Sequence, residues 1–372
     1  MSRVQCRHCR ASQGEIVLDL GRQPPCDYFP PAGDACSDPV HPLRLWLCAR
    51  CGLAQLAEDG TVPDEPRGVE PQALVAQARD AVDRVVGAGL LRPGASVVEY
   101  GSPHGGSWLD LLTEHGMRVA SAAEPADVVL DCFGLMHAAD QRAALAERAA
   151  RLAPGGVLLL QYHSLAAIVA GSQWNAVRHG HFAYYSTPAL LGMIDAAGLG
   201  ATSAWCFDLY GGTVLIAAQR GGQPDRSVQD LEDAENVTSV RSPSHVARLQ
   251  RDAGESAASV HAFLRQAKAE GRRVLGYGAA SRAVVLLNRA GIGPDLLPVV
   301  ADASVAKHGR RIPGVGIPVV PPDRVLTDRP DLVLVFVPDL IDELRRVMPT
   351  VEAHGGRWVL LDPIPRVLQV AA

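Results

Sequence analysis

Apolar positions along the chain recur at two periods. Short apolar runs bounded by glycine or proline predict strands, and runs with apolar residues three and four apart predict helices. An amphipathic stretch at 73–88 predicts a helix, and "ASVVEYGSPHGGSWLDLLTEHG" (95–116) predicts strand, glycine-rich turn and helix. "DVVLDCF" (127–133) predicts a strand, 138–153 a helix, and Gly155-Gly156 a turn into the strand "VLLLQY" (157–162). A helix at 187–198 and strands at 202–210 and 212–220 complete this run. A polar stretch, 221–239, predicts a loop, and 245–271 a long amphipathic helix. The pattern then repeats: strand, glycine turn and helix in "RRVLGYGAASRAVVLLNRAG" (272–291), strands at 296–302, 332–338 and 357–362, and a helix at 340–355. Strands alternating with helices predict an α/β fold with mostly parallel sheets.

At 372 residues the chain exceeds what one core holds. The acidic, proline-rich "EDGTVPDEPRGVEPQ" (58–72) reads as a linker. Three segments are expected: 1–60, 61–222 and 223–372. Two nucleotide-fold-like units suggest a site in the cleft between them. The net charge is −5, with 20% charged residues and no block of five like charges, which argues against nucleic acid or an anionic membrane as partner. The most apolar run, 155–171, is broken by Gln161 and His163 and falls short of the roughly 20 residues of a span. With a polar, cysteine-bearing start and no visible signal peptide, a cytoplasmic location is expected.

Six of the eight cysteines lie within the first 51 residues. Cys6 and Cys9 form one C-x-x-C, and Cys48 and Cys51 another. Two such knuckles supply four thiolates, a closed structural zinc site; two disulfides or free thiols are the alternative. His8, inside the first knuckle, reads as a spectator. Cys26, Cys36, Cys132 and Cys206 read as spare thiols, the last two in the core.

The turn after the first strand of the central segment carries Glu99, Gly101, Ser102 and Gly105. The spacing E-x-G-x-x-x-G fits the first motif of class I methyltransferases, where glycines let backbone approach S-adenosylmethionine; a tight strand-to-helix turn is the alternative. Glu124 sits where an acid grips a ribose. "RHGHFAYYS" (178–186) concentrates two histidines and three aromatic rings in a chain that is 5% aromatic: catalytic centre, metal site, or buried strand and turn. His163, after its strand, falls at the end of the sheet where such folds bind ligands.

Together these features resemble the sugar C-methyltransferases of antibiotic deoxysugar pathways. The matching stretches are Cys6, Cys9, "DLGRQPP", Cys48 and "CGLAQL", then "EYGSPHGG", "AEPA", "LAPGGV", "HGHFAYYS" and "LYGGTVLI". Toward the end they are "GYGAASR", "LLNRAGIG", "VADASVAKHGRRIPGVGIPV" and "LDPIP". The resemblance implies a zinc-stapled N-terminal module, a central class I methyltransferase (Rossmann-like) domain and a C-terminal Rossmann-like domain. It implies a nucleoside-diphosphate 4-keto-6-deoxysugar as substrate, a base that removes the proton beside the ketone, and methylation of the enolate. The family's Tyr-His-Glu-His motif falls on Arg178, His179, Gly180 and His181, with His181 as base. It also implies His137 in the pocket, Tyr184 and Tyr185 beside the substrate, and Asp302, Lys307, Arg310 and Arg311 near the diphosphate.

The chain departs from the family where cofactor and base are held. Arg178 and Gly180 replace Tyr and Glu, Pro103 and His104 replace Asn and Asp, and Cys132-Phe133 replaces Asn-Asn. Near 125–127 a helix, a strand and a loop are missing. A parallel crossover takes about a dozen residues, so "RVASAAEP" and "DVVLDCF" are not both full parallel strands: the first is a connector, or the sheet is shortened at that edge. Three functions follow: a compact S-adenosylmethionine-dependent C-methyltransferase; a cofactor-independent epimerase or isomerase using the same enolization; a non-catalytic partner protein.

Overall fold

The computed structural model describes residues 4–34, 37–61, 70–103, 105–121, 124–361 and 363–370. His104, Cys36, most of the linker (62–69) and the centre of "RVASAAEP" (122–123) lie outside them. In chain order the strands of the first two sheets are β1 (Gly14–Gln23), β2 (His41–Cys48), β3 (Ala54–Leu56), β4 (Ser96–Gly101), β5 (Arg118–Val119), β6 (Ala126–Cys132), β7 (Leu152–His163), β8 (Ala183–Tyr184), β9 (Gly200–Phe207) and β10 (Thr213–Gln219). The third sheet uses β11 (Val274–Tyr277), β12 (Val300–Ala301), β13 (Val319–Val320), β14 (Leu332–Val335), β15 (Arg357–Leu360) and β16 (Arg366–Val367). The helices of the first two segments are α1 (Gln72–Gly87), α2 (Leu109–Glu114), α3 (Gln141–Ala150), α4 (Leu165–Ala170) and α5 (Thr187–Ala196). Those that follow are α6 (Arg226–Val237), α7 (Pro243–Val246), α8 (Arg248–Ala269), α9 (Ser281–Ala290), α10 (Asp323–Asp328), α11 (Ile341–Val347) and α12 (Thr350–Ala353).

The first sheet runs β1-β2-β3-β8 and is antiparallel throughout. Its fourth strand comes from the "HGHFAYYS" stretch of the central segment: Ala54 opposes Tyr184 and Gln55 opposes Ala183. The second sheet runs β5-β4-β6-β7-β10-β9. Its first four strands are parallel, and β10 is antiparallel to both neighbours. The third, β13-β12-β11-β14-β15-β16, is parallel apart from β16.

The second sheet is shortened at the edge that the missing residues predicted. β5 is two residues long, and Ala120 and Ser121 after it belong to no strand. Val97 of β4 opposes Val119 on one side and Val128 on the other, so the chain leaves and re-enters the sheet at the same level. The return crosses one strand, about 10 Å sideways, well within reach of the intervening residues.

Three local expectations are corrected. Most of the loop expected at 221–239 is the helix α6. Asp225 caps it by accepting from the amides of Ser227 and Val228, and Val228, Leu231 and Glu235 share its inner face. The polar composition belonged to the outer face. The helix expected at 340–355 breaks between α11 and α12, where Pro349 forces Met348 out of helical geometry. Cys206, expected in the core, lies on the outer face of β9, while Cys132 is buried as expected.

Core packing crosses the segment boundaries. α8 packs against β1, α9 and β11, so β1, β2, α4, α8, α9 and the third sheet share one core. Under the second sheet, buried Asp131 of β6 accepts from Arg148 Nε of α3 at 2.5 Å and from the Leu135 amide at 2.8 Å. Buried Glu235 accepts from Ser164 Oγ, Thr187 N and Thr187 Oγ1 at 3.0, 2.6 and 2.8 Å, tying α6 to the starts of α4 and α5. Arg148→Met leaves the Asp131 carboxylate buried without its cation. The expected loss is about 3–5 kcal/mol of unfolding free energy in urea titration; an unchanged midpoint would show the pair to be dispensable.

Candidate active site and zinc centre

Each knuckle closes on its own backbone. Arg10 N donates to Cys6 O at 3.1 Å, and Gly52 N to Cys48 O at 3.0 Å. The residue after each C-x-x-C is left-handed, Arg10 at φ 62° and Gly52 at φ 76°. The Sγ atoms of Cys6, Cys9, Cys48 and Cys51 all lie within 4.8 Å of one another. Cys6–Cys51 and Cys9–Cys48 are each 3.6 Å apart. A tetrahedron with Zn–S of about 2.3 Å has edges of about 3.8 Å, so the donor set fits zinc and leaves no open position. His8 is buried beside the knuckle, outside the donor set.

The sheet carries this rigidity to the histidine stretch. Gln55 of β3 accepts from Arg7 N at 2.7 Å, and Arg7 lies over the Phe182 ring at 4.6 Å. Leu56 N donates to Phe182 O, and Phe182 N to Met136 O just beyond β6. Tyr184 OH accepts from Arg178 N at 3.0 Å, which folds the stretch into a tight loop. Gly180 sits at φ +83°, where a Cβ would be strained and would meet Asp27 Oδ2 at 3.4 Å. Its amide donates to Asp59 Oδ2 at 2.7 Å.

In this loop Arg178 Nε donates to His181 Nε2 at 3.2 Å. His137, in the turn after β6, stands edge to face with His181, ring centroids 4.6 Å apart. At the end of β7, His163 is buried beside Tyr210, ring centroids 6.3 Å apart. Burial, with Arg282 and Arg178 adding to it, holds the His163 pKa well below the ordinary histidine value. Arg282, at the start of α9, lies over the other partner, Tyr210, at 5.5 Å. The second and third sheets therefore meet at this cluster.

The remaining expected site residues are engaged elsewhere. His179 pairs through Nε2 with Pro42 O at 3.2 Å and faces His41 of β2; burial lowers its pKa. Tyr184 and Tyr185 are both buried, the latter donating to Gln141 Oε1 of α3. Lys307 is buried, donating to Ala279 O at 3.0 Å, with Asp302 accepting from Ala279 N at 2.7 Å. Arg310 donates to Phe29 O at 2.6 Å, and Arg311 pairs with Asp38. Both arginines bind the third sheet to the N-terminal segment.

Around the glycine turn, Glu99 accepts from Ser107 Oγ at 2.6 Å and Trp108 N at 2.8 Å, fixing the entry to α2. Gly101 follows it at the end of β4, with Ser102 next. A Cβ at Gly101 or Gly105 would meet no atom within 4 Å, so the turn borders open space. Glu70, before α1, brings a second carboxylate to Gly106, and burial with the Glu99 charge raises its pKa. Glu124 is ion-paired with Arg118 of β5 at 2.5 Å. Asp27, Asp59, Glu70, Tyr210 and Arg282 were not picked out from sequence. Each lies in a turn or element end, where no periodicity marks it.

Three family models match the chain in order. Residues 6–63 match a zinc binding domain, 72–204 a methyltransferase domain, and 208–365 a C-methyltransferase C-terminal domain. C-methyltransferase NovU of Streptomyces niveus is 26% identical over 412 aligned positions, covering 98% of this chain and 96% of its own. The alignment is longer than this chain, in keeping with segments missing here. Among solved structures, N-methyltransferase NodS of Bradyrhizobium japonicum in complex with S-adenosyl-L-homocysteine has a TM-score of 0.32 at 14% identity, covering 41% of this chain and 89% of its own. Magnesium protoporphyrin IX methyltransferase of Synechocystis has a TM-score of 0.31 at 11% identity, covering 40% and 84%. Both structural likenesses are loose. Among the described residues, no helix is long and apolar enough to cross a membrane.

Removing zinc with a chelator is expected to raise amide hydrogen exchange at 54–56 and also at 183–184, because β3 and β8 are paired. Exchange confined to the first 60 residues would show that the metal does not brace the histidine stretch. Acid provides a second check. The folded pKa of His163 lies below its unfolded value, so its contribution to stability is present above about pH 6.5 and fades as pH falls toward the folded pKa. Between pH 7 and 5.5 the wild type is expected to lose more unfolding free energy than His163→Gln, by up to about 1.4 kcal/mol per pH unit.

Proposed function

We propose that this chain, whose successive segments match zinc binding, methyltransferase and C-methyltransferase C-terminal domain models in order, methylates a carbon beside the ketone of a nucleoside-diphosphate 4-keto-6-deoxysugar. S-adenosylmethionine is the methyl donor in this reading. The observation that carries it is the meeting of Arg178, His181 and His137 at the carboxyl ends of β6 and β7, beside the open glycine turn after β4. Bound there, S-adenosylmethionine supplies an electrophilic methyl on a sulfonium centre. Gly101 and Gly105 would admit it, and the carboxylates of Glu70 and Glu99 favour a cationic ligand.

The protein's own residues prepare the sugar. An imidazole near neutrality takes the proton beside the ketone. Arg178, its Nε turned to His181, has its remaining guanidinium donors to face the oxygen on which charge develops. His163, kept neutral by burial next to Arg178 and Arg282, can donate or accept toward a sugar hydroxyl without adding charge. Arg282 at the start of α9 is suited to the diphosphate. The zinc stays outside the chemistry, since its four thiolates close the coordination shell.

One observation favours the cofactor-independent alternative: β5 is only two residues long, and Glu124, the expected ribose acid, is paired with Arg118. Calorimetry with S-adenosylmethionine separates the two readings. Cofactor binding, and a ketosugar product heavier by one methyl group, are expected. No binding at millimolar cofactor, with the sugar still exchanging its proton, would replace transfer by epimerization or isomerization. Arg178→Met is expected to lower turnover about 10²- to 10³-fold, and an unchanged rate would remove Arg178 from the reaction.

A further inference from the structure

The two facing histidines hold their protons on the same ring atom but offer their lone pairs to different surroundings. A guanidinium has donors only, so the 3.2 Å contact from Arg178 Nε falls on a lone pair of His181 Nε2. Neutral His181 thus carries its proton on Nδ1. A carbonyl oxygen only accepts, so the 2.9 Å contact between Gly180 O and His137 Nδ1 puts the proton of His137 on Nδ1 as well. Its basic site is then Nε2.

The two rings would meet a further proton in different hydrogen-bond surroundings. At His181 the proton would have to displace Arg178 from Nε2 and create a second cation against the guanidinium. At His137 it enters at Nε2 while the Nδ1–H bond to Gly180 O stays in place and strengthens as the ring becomes charged. A fixed acceptor behind a catalytic imidazole works this way in general: it sets the tautomer and stabilises the imidazolium. The loop is built for it, because Gly180 at φ +83° directs its carbonyl to His137 while its amide is held by Asp59.

We propose that His137 is the general base and that the His181–Arg178 pair holds the ketone oxygen. The assignment rests on the enolizing chemistry proposed above. The C–H bond beside the ketone breaks, its proton goes to His137 Nε2, and the electron pair shifts through the C–C bond onto the oxygen facing Arg178. His137 is half-buried in the turn after β6, with its Nε2 turned inward from solvent, and His181 is buried more fully.

Proton exchange of a nucleoside-diphosphate 4-keto-6-deoxysugar in D2O tests this without methyl transfer. His137→Asn keeps an N–H donor for Gly180 O and removes the base; His181→Gln keeps an acceptor for Arg178. His137→Asn is expected to slow exchange about 10²- to 10⁴-fold, and His181→Gln by less than about tenfold. Exogenous imidazole is expected to restore exchange to His137→Ala. Loss of exchange in His181→Gln with retention in His137→Asn would return the base role to His181 and overturn the proposal. A wild-type protein that exchanges no proton overturns the enolizing reading, and this assignment with it.

Discussion

The pairing of β3 with β8 is the contact on which the rest of the site depends. Two strands of two or three residues, joined across the N-terminal and central segments, place the histidine loop against the turn after β6. Hydrogen bonds this short in sequence hold little by themselves. They gain their worth from what stands behind β3: the long β1–β2 ladder, two knuckles closing on one metal, and the core under α8. On the other side Tyr185 reaches α3, and the bridge from Ser164 to Tyr185 ties the loop to the end of β7. The loop is thus gripped from both sides, and the geometry of Arg178, His181 and His137 follows.

Much of the architecture was legible in the sequence, for identifiable reasons. Knuckle spacing is local, so the zinc ligands could be read directly. Apolar strands buried on both faces, such as "VVLDC" and "VLLLQY", announce themselves by composition. The shortened edge was legible from the residues missing relative to the resembled family, because geometry bounds the residues a crossover needs. The failures share a different cause. α6 was hidden because only one narrow face of it is buried, and the pairing of the strand in "FAYYS" with β3 because the two lie far apart in sequence. Asp27 and Asp59 approach Gly180 only through the folded loop, and no spacing records that.

The substitutions in the histidine motif read differently once the loop is seen. Glycine at 180 is a conformational choice as much as a lost side chain, since φ +83° there orients both peptide groups that flank it. Arginine at 178 brings a permanent positive charge to a histidine that would otherwise be free to accept a proton. Each change alters which ring can do the chemistry, and together they give the two histidines separate tasks.

The β3 edge also has a history during synthesis. β3 and its neighbours emerge from the ribosome before β8, and the strand that covers β3 is made more than a hundred residues later. Until then the nascent chain carries a metal-stapled sheet with one open edge, a template onto which another copy can add. The short length of β3, three residues, limits how far such mispairing extends. If the knuckles close on their metal before β8 is made, assembly would depend on zinc supply and on the crowding of nascent chains before any catalytic residue has a function.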